Sequence, residues 1–353
     1  MIKTWLIHAG KNKSYPAPTK VNRTLDFNHS SSSGHWTSLN MERLNGKTMK
    51  GLKRIMVGLD FTTIDQHLIQ YTAFLAYYLK PEKIYFVNIQ PDLDIPDSVR
   101  AAFPELRQPR DEKLLQDLKA KVKKWFPDQD AYEVDFQIIE GSARVELARW
   151  AHIKNVDLLL LGRKSMQHGK GIVPQQLARK LDCSILFIPE NVRFQLKSIL
   201  IANDFSPYAK SAIQVASQFQ SIDKDIKLYS GHVFSLPQGY YRTGKSEEEF
   251  TAIMRHHAEE RSQKFLSDCE SSGEITPLYC FDKDHRSAAR VIHETATEKN
   301  MDLIVIGSRG HTPASAFLLG SVSEKLIRIN DTNPILMVKH AEHIKLIEVV
   351  ESL

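Results

Sequence analysis

The residues best suited to chemistry gather in one stretch: Ile304-Val305-Ile306-Gly307-Ser308-Arg309-Gly310, then nine residues, then Gly320-Ser321. This is an apolar strand running into G-x2-G-x9-G-S. Glycines free the backbone amides, and a helix starting at Gly320-Ser321 would aim its unpaired N–H groups at the same place. Together they make a seat for an anion such as phosphate. A second pattern competes with it. Gly239-Tyr240-Tyr241-Arg242-Thr243-Gly244-Lys245-Ser246 satisfies G-x4-G-K-S, the phosphate loop of P-loop hydrolases, and Leu278-Tyr279-Cys280-Phe281-Asp282 could supply the acidic strand. A working loop of that kind leaves its strand almost directly. Here the strand ends near Val233, and Ser235-Leu236-Pro237-Gln238 intervene. The segment therefore reads as a surface insertion, with a P-loop hydrolase using Lys245 and Ser246 as the alternative. His256-His257 lacks partners at metal spacing, and Arg309 and His311 read as solvent-facing.

The elements that must position these residues occur twice. Arg54-Ile55-Met56-Val57-Gly58-Leu59-Asp60-Phe61-Thr62 recurs as Ser198-Ile199-Leu200-Ile201-Ala202-Asn203-Asp204-Phe205-Ser206, 144 residues on. Asp157 to Gly162 recurs as Asp302 to Gly307, and Ser184 to Ile188 as Pro334 to Val338. A repeat this long is a domain, not a solenoid unit. The boundaries expected are a leader at 1–50, domains at 52–190 and 197–340, and a helical tail at 341–353. In the first repeat, strands are predicted near 54–60, 84–89, 133–139, 157–162 and 184–188, with helices near 64–80, 111–126, 143–154 and 172–182. In the second, strands fall near 198–204, 226–233, 275–281, 302–307 and 334–338, with helices near 207–221, 246–271, 286–300 and 320–330. Apolar strands separated by amphipathic helices imply a parallel sheet covered on both faces.

Asp204-Phe205-Ser206 after the first strand, Asp302-Leu303-Ile304-Val305-Ile306-Gly307 as the fourth, the G-x2-G-x9-G-S spacing and the last apolar strand together resemble the universal stress proteins, as two tandem copies over roughly residues 52–340. The resemblance implies an α/β, Rossmann-like nucleotide-binding fold: two tandem doubly wound parallel five-stranded sheets of order 3-2-1-4-5. Ligands in such sheets bind at the carboxyl ends of the strands, where the strand order reverses. By the same resemblance, Asp204 accepts from a ribose hydroxyl or the base amine, and Val233 offers backbone groups to adenine. Gly307 and Gly310 admit the phosphates, Gly320 and Ser321 face the terminal phosphates, and Ile306 and Val322 line the pocket. The implied ligand is ATP, ADP or AMP, with Mg2+ allowed alongside. Family members commonly pair through the fifth strand, so Ile185–Ile188 and Ile335–Val338 are expected to join the repeats as an intramolecular pseudo-dimer, and a homodimer is allowed.

The first repeat keeps Asp60 and Gly162 but has Ser165 where the second has Gly310. Gly171 matches Gly320, Ile172 replaces Ser321, and the loop between is four residues shorter. Weak or absent nucleotide binding is expected there, although Lys164 and Lys170 could compensate. Across the 353 residues no apolar run approaches membrane-spanning length, and three unrelated cysteines (Cys183, Cys269 and Cys280) suit a reducing cytoplasm. The first 50 residues carry eight Lys and Arg against two acids, more than the whole net charge of +5, so the rest is one charge below neutral. That leaves no electrostatic case for nucleic acid. The leader, rich in Ser, Asn and His, is expected to be disordered. The function expected is a cytoplasmic stress-response sensor or regulator with an unidentified protein partner. No residue set resembles a general base aimed at water, so slow hydrolysis at most is expected. A nucleotide-free interaction protein is the remaining alternative.

Overall fold

The computed structural model describes residues 51–91, 110–163, 172–269, 273–310 and 319–339. The leader, the tail, His311 and the first-repeat loop residues Lys164, Ser165, Lys170 and Gly171 lie outside the described residues.

The first repeat runs β1 (Arg54–Leu59), α1 (Ile64–Leu79), β2 (Lys83–Gln90), α2 (Arg110–Trp125), β3 (Glu133–Glu140), α3 (Ala143–Ile153), β4 (Leu158–Arg163), α4 (Ile172–Lys180) and β5 (Ser184–Pro189). The second runs β6 (Ser198–Ala202), α5 (Pro207–Ile222), β7 (Lys227–Phe234), α6 (Glu247–Ser267), β8 (Ile275–Phe281), α7 (Ala288–Glu298), β9 (Leu303–Gly307), α8 (Ser321–Ile329) and β10 (Ile335–Val338). Local chemistry sets the boundaries. The α5 start is fixed by Ser206, whose hydroxyl accepts from the Ala209 N–H at 3.2 Å, and by Pro207, whose ring favours the first helical position.

Ten strands form one sheet in the order β3-β2-β1-β4-β5-β10-β9-β6-β7-β8. Each repeat has the order 3-2-1-4-5 with parallel neighbours, and β5 meets β10 antiparallel, Leu186 opposite Leu336. The two expected five-stranded sheets are therefore halves of a single one. Apolar side chains alternate to its two faces, so each face carries its own core, and both cores run across the repeats. Ile185, Leu186, Phe187, Ile335, Leu336 and Met337 are all buried at the seam.

The repeats also exchange cations. Lys339, following β10, donates to the Ala178 carbonyl in the last turn of α4 at 3.0 Å. Arg163, ending β4, donates to the Arg328 carbonyl in the last turn of α8 at 2.7 Å. Helix C-termini present unpaired carbonyls and partial negative charge, so each cation complements the other repeat's last helix. Arg179 and Glu324 add an ion pair between α4 and α8 at 2.6 Å.

Candidate functional site

Where β6 ends, the chain makes a sharp bend. Asp204 Oδ1 accepts from the Ser206 N–H at 3.0 Å, and Asn203 Oδ1 from the Phe205 N–H at 2.8 Å. Phe205 takes the left-handed conformation (φ 65°), uncommon for a bulky side chain. The first repeat makes the same bend: Phe61 has φ 60°, and Asp60 Oδ1 accepts from the Thr62 N–H at 3.2 Å. Asp204 thus caps its own turn and lies at the mouth of the crevice between β6 and β9.

The glycine-lined loop meets that carboxylate. A Cβ at Gly310 would lie 2.3 Å from Asp204 Oδ2, so only glycine admits the acid in this position. The start of α8 is stitched to the end of β9. The Gly320 N–H donates to the Ser308 carbonyl at 2.9 Å, and the Ser323 hydroxyl donates to the Gly307 carbonyl at 2.8 Å. Gly320 occupies the capping position and provides no side-chain hydrogen bond to the first turn. The Ser308 hydroxyl is buried without a hydrogen-bond partner. On the side of the sheet covered by α7 and α8, Ile306 belongs to the core, and Val233 and Val322 pack against it half-buried.

A carboxylate, a glycine bend, an uncapped helix start, an orphaned hydroxyl and an apolar wall thus meet at one end of the sheet. This donor and acceptor set fits a phosphorylated nucleoside. The carboxylate suits sugar hydroxyls, the helix start suits phosphate, and the apolar wall suits a base. Among the described residues, no group of three or more His, Cys, Asp or Glu could hold a metal ion.

Two of the expected residues have further structural detail. A Cβ at Gly307 would lie 2.7–2.8 Å from the Cβ, carbonyl carbon and carbonyl oxygen of Tyr208. Gly307 therefore allows α5 to approach β9 closely. Ser321 is the first residue of α8 and is exposed, whereas the buried serine that anchors the helix is Ser323. Asn203, Ser308 and Ser323 carried no motif. Asn203 aligns with Leu59 of the first repeat, a difference from which that residue could have been found.

The G-x4-G-K-S segment is built differently from a phosphate cradle. Tyr240–Thr243 forms a short 3-10 turn closed by Arg242 N–H to Gly239 carbonyl and Gly244 N–H to Tyr241 carbonyl bonds. Ser246 caps α6: its hydroxyl accepts from the Glu249 N–H at 3.2 Å, and the Glu249 carboxylate accepts from the Ser246 N–H at 2.9 Å. Lys245 is exposed. This is the surface insertion expected.

In the first repeat the Ile64 side chain covers Gly162, where a Cβ would come within 2.9 Å of it. Asp65 lies buried beneath the bend, accepts from the Asp60 N–H at 3.1 Å and pairs with Lys121 at 2.7 Å. Burial pushes its carboxyl above the usual carboxylate range, against the pull of Lys121. The corresponding position in the second repeat is Ala209, so this buried pair belongs to the first repeat alone.

The family model described as the universal stress protein family matches residues 51–189 and again 195–339. A universal stress protein of Methanocaldococcus jannaschii is 26% identical over 160 residues, covering 40% of this chain and 94% of that protein. Among solved structures, a universal stress protein from Archaeoglobus fulgidus aligns with TM-score 0.54 and 17% identity, covering 82% of this chain and 99% of its own. A putative one from Pseudomonas aeruginosa aligns with TM-score 0.58 and 14% identity, covering 86% and 98%. With two matches to the family model and the fold those structures share, the chain belongs to the universal stress protein family as a tandem of two repeats.

Proposed function

We propose that the second repeat binds ATP or a related adenine nucleotide, and that the protein acts as a stress-response sensor or regulator in the cytoplasm. Asp204 would accept from the ribose, the start of α8 and the Ser308 hydroxyl would meet phosphate, and Val233, Ile306 and Val322 would flank the base. The observation that carries this reading is the contact between Asp204 and Gly310, which joins the sugar side of the crevice to the phosphate side. Nucleotide occupancy would change the surface offered to a partner. Any hydrolysis would be slow. Among the described residues no helix is long and apolar enough to cross a membrane.

The test uses the same contact. Among the described residues, a Cβ at Gly310 meets the end of the Asp204 side chain, so Gly310→Val is expected to displace the carboxylate. Wild-type protein is expected to bind one equivalent of ATP in calorimetry. Gly310→Val should weaken binding at least about tenfold, equivalent to roughly 1.4 kcal/mol, with little change in melting temperature. Lys245→Ala should bind as wild type does. Absence of binding by wild type, or loss on Lys245→Ala alone, would overturn the assignment.

A further inference from the structure

Resting on the nucleotide assignment of that crevice, we propose that His232 is a positioning residue for Asp204 that makes ligand affinity fall as the pH is lowered. His232 lies in β7, one residue before Val233. Its Nδ1 is 2.9 Å from the Asn203 carbonyl oxygen, the backbone group just ahead of Asp204. A carbonyl only accepts, so Nδ1 carries the proton, and Nε2 is the atom that takes up a second one. The ring lies 4.3 Å from that of Phe205, tilted by 32°, and the Arg261 guanidinium lies 4.8 Å from the same Phe205 ring. The imidazole therefore supports both residues that flank Asp204 in the bend.

The first repeat provides an internal comparison. Asn88 occupies the position of His232, 144 residues earlier, and its Nδ2 donates to the Leu59 carbonyl at 2.8 Å. The same carbonyl is thus held in both repeats, by an amide in one and by an imidazole in the other. Only the imidazole titrates near neutral pH.

The groups bearing on the ring are Asp204 at the end of β6, Arg261 and His257 on α6, and, as its strand partner, Tyr279 in β8. Burial holds the imidazole below its usual range, Arg261 and His257 push the same way, and the Asn203 carbonyl and Asp204 oppose them. When Nε2 does take a proton, the nearest countercharge is the Asp204 carboxylate. Drawn toward the imidazolium, that carboxylate is a poorer acceptor for a ribose hydroxyl. Phosphate held at Gly310 would lie beside Asp204 and favour the imidazolium, so the sign is read with a ligand that carries no phosphate.

Adenosine, whose phosphate-free structure does not titrate between pH 5.5 and 7.5, serves as the probe, with ATP alongside. Wild-type affinity for adenosine should fall about threefold from pH 7.5 to 5.5, as expected when ligand lowers the His232 pKa by roughly 1 unit and the titration is only partly complete at the lower pH. His232→Asn keeps the carbonyl bond as Asn88 does and has no group to titrate, so its affinity should be the same at both pH values. In proton NMR, the imidazole signal that disappears in His232→Asn should titrate at lower pH with adenosine bound than without it. Parallel pH profiles for the two proteins, or a His232 titration unmoved by adenosine, would overturn the role of His232 while leaving the nucleotide site standing. Failure of wild type to bind ATP or adenosine at any of these pH values would remove the nucleotide assignment, and the role of His232 with it.

Discussion

Asp204 and Asp302 are both strand-end aspartates in the second repeat, yet they do opposite work. Asp204 lies at the carboxyl end of the sheet, where strand order makes a crevice. Asp302 lies at the other end, its side chain fully buried, and accepts from the Lys197 and Ser198 N–H groups at 2.8 and 3.0 Å. Asp157 does the same in the first repeat with Lys53 and Arg54 at 2.8 and 2.7 Å. Asp302→Ala takes the acceptor from these two backbone donors and from the Gln195 and Ser198 side chains, and should lower stability by about 2–3 kcal/mol. Urea denaturation checks this, and nucleotide affinity at 25 °C should stay at the wild-type value. The contrast explains what could be read beforehand. Asp204 stood out because a turn and a glycine motif surrounded it. The partners of Asp302 are backbone amides over a hundred residues away, and those of Ser323 and Asn203 are a strand-end carbonyl and a buried hydroxyl, none of which leaves a pattern in the sequence. Gly307 was visible as a glycine, but its reason, the backbone of Tyr208, was not.

At the scale of elements, the helices and strands were largely legible because the inner strands are buried on both faces and the helices between them on one. Such strands read as short apolar runs, and the helices as periodic ones. Strand β8 matches its expected span, and α6 falls inside its own, stopping at Ser267. The short turns at Pro127–Ala131 and Tyr240–Thr243 were not legible, since one turn of helix has no periodicity. Ser246 shows how one residue can fit two patterns. G-x4-G-K-S ends and the capping box begins at this serine, and the structure adopts the box with Glu249. Ser246→Ala should therefore cost about 1 kcal/mol, seen as a shift in the urea midpoint, with ATP affinity unchanged. Loss of ATP binding at unchanged stability would instead restore the phosphate-loop alternative.

On the scale of the whole molecule, repetition in the sequence implied two domains, and the structure joins the two repeats in one continuous sheet. The β5–β10 pair closes the seam, both cores cross it, and Tyr78 of α1 meets Phe219 of α5 at 6.4 Å. Each repeat's fifth strand would otherwise be an open edge with unpaired backbone groups. Pairing within the chain covers both, leaving β3 and β8 as the sheet's outer strands. Neither repeat should then keep its stability when the other is damaged at the seam. Trp5, Trp36, Trp125 and Trp150 all precede the second repeat, so tryptophan fluorescence reports on the N-terminal half, whereas far-UV circular dichroism reports on both. In urea the two signals should coincide for wild type. Leu336→Asp places a charge at a position that is 2% exposed and opposite Leu186. It should cost several kcal/mol, roughly 3–5, and move the fluorescence transition to lower urea together with the dichroism, although no tryptophan lies in the repeat that was changed. A fluorescence transition that stays at its wild-type midpoint while part of the dichroism melts early would mean that the seam joins two independent domains.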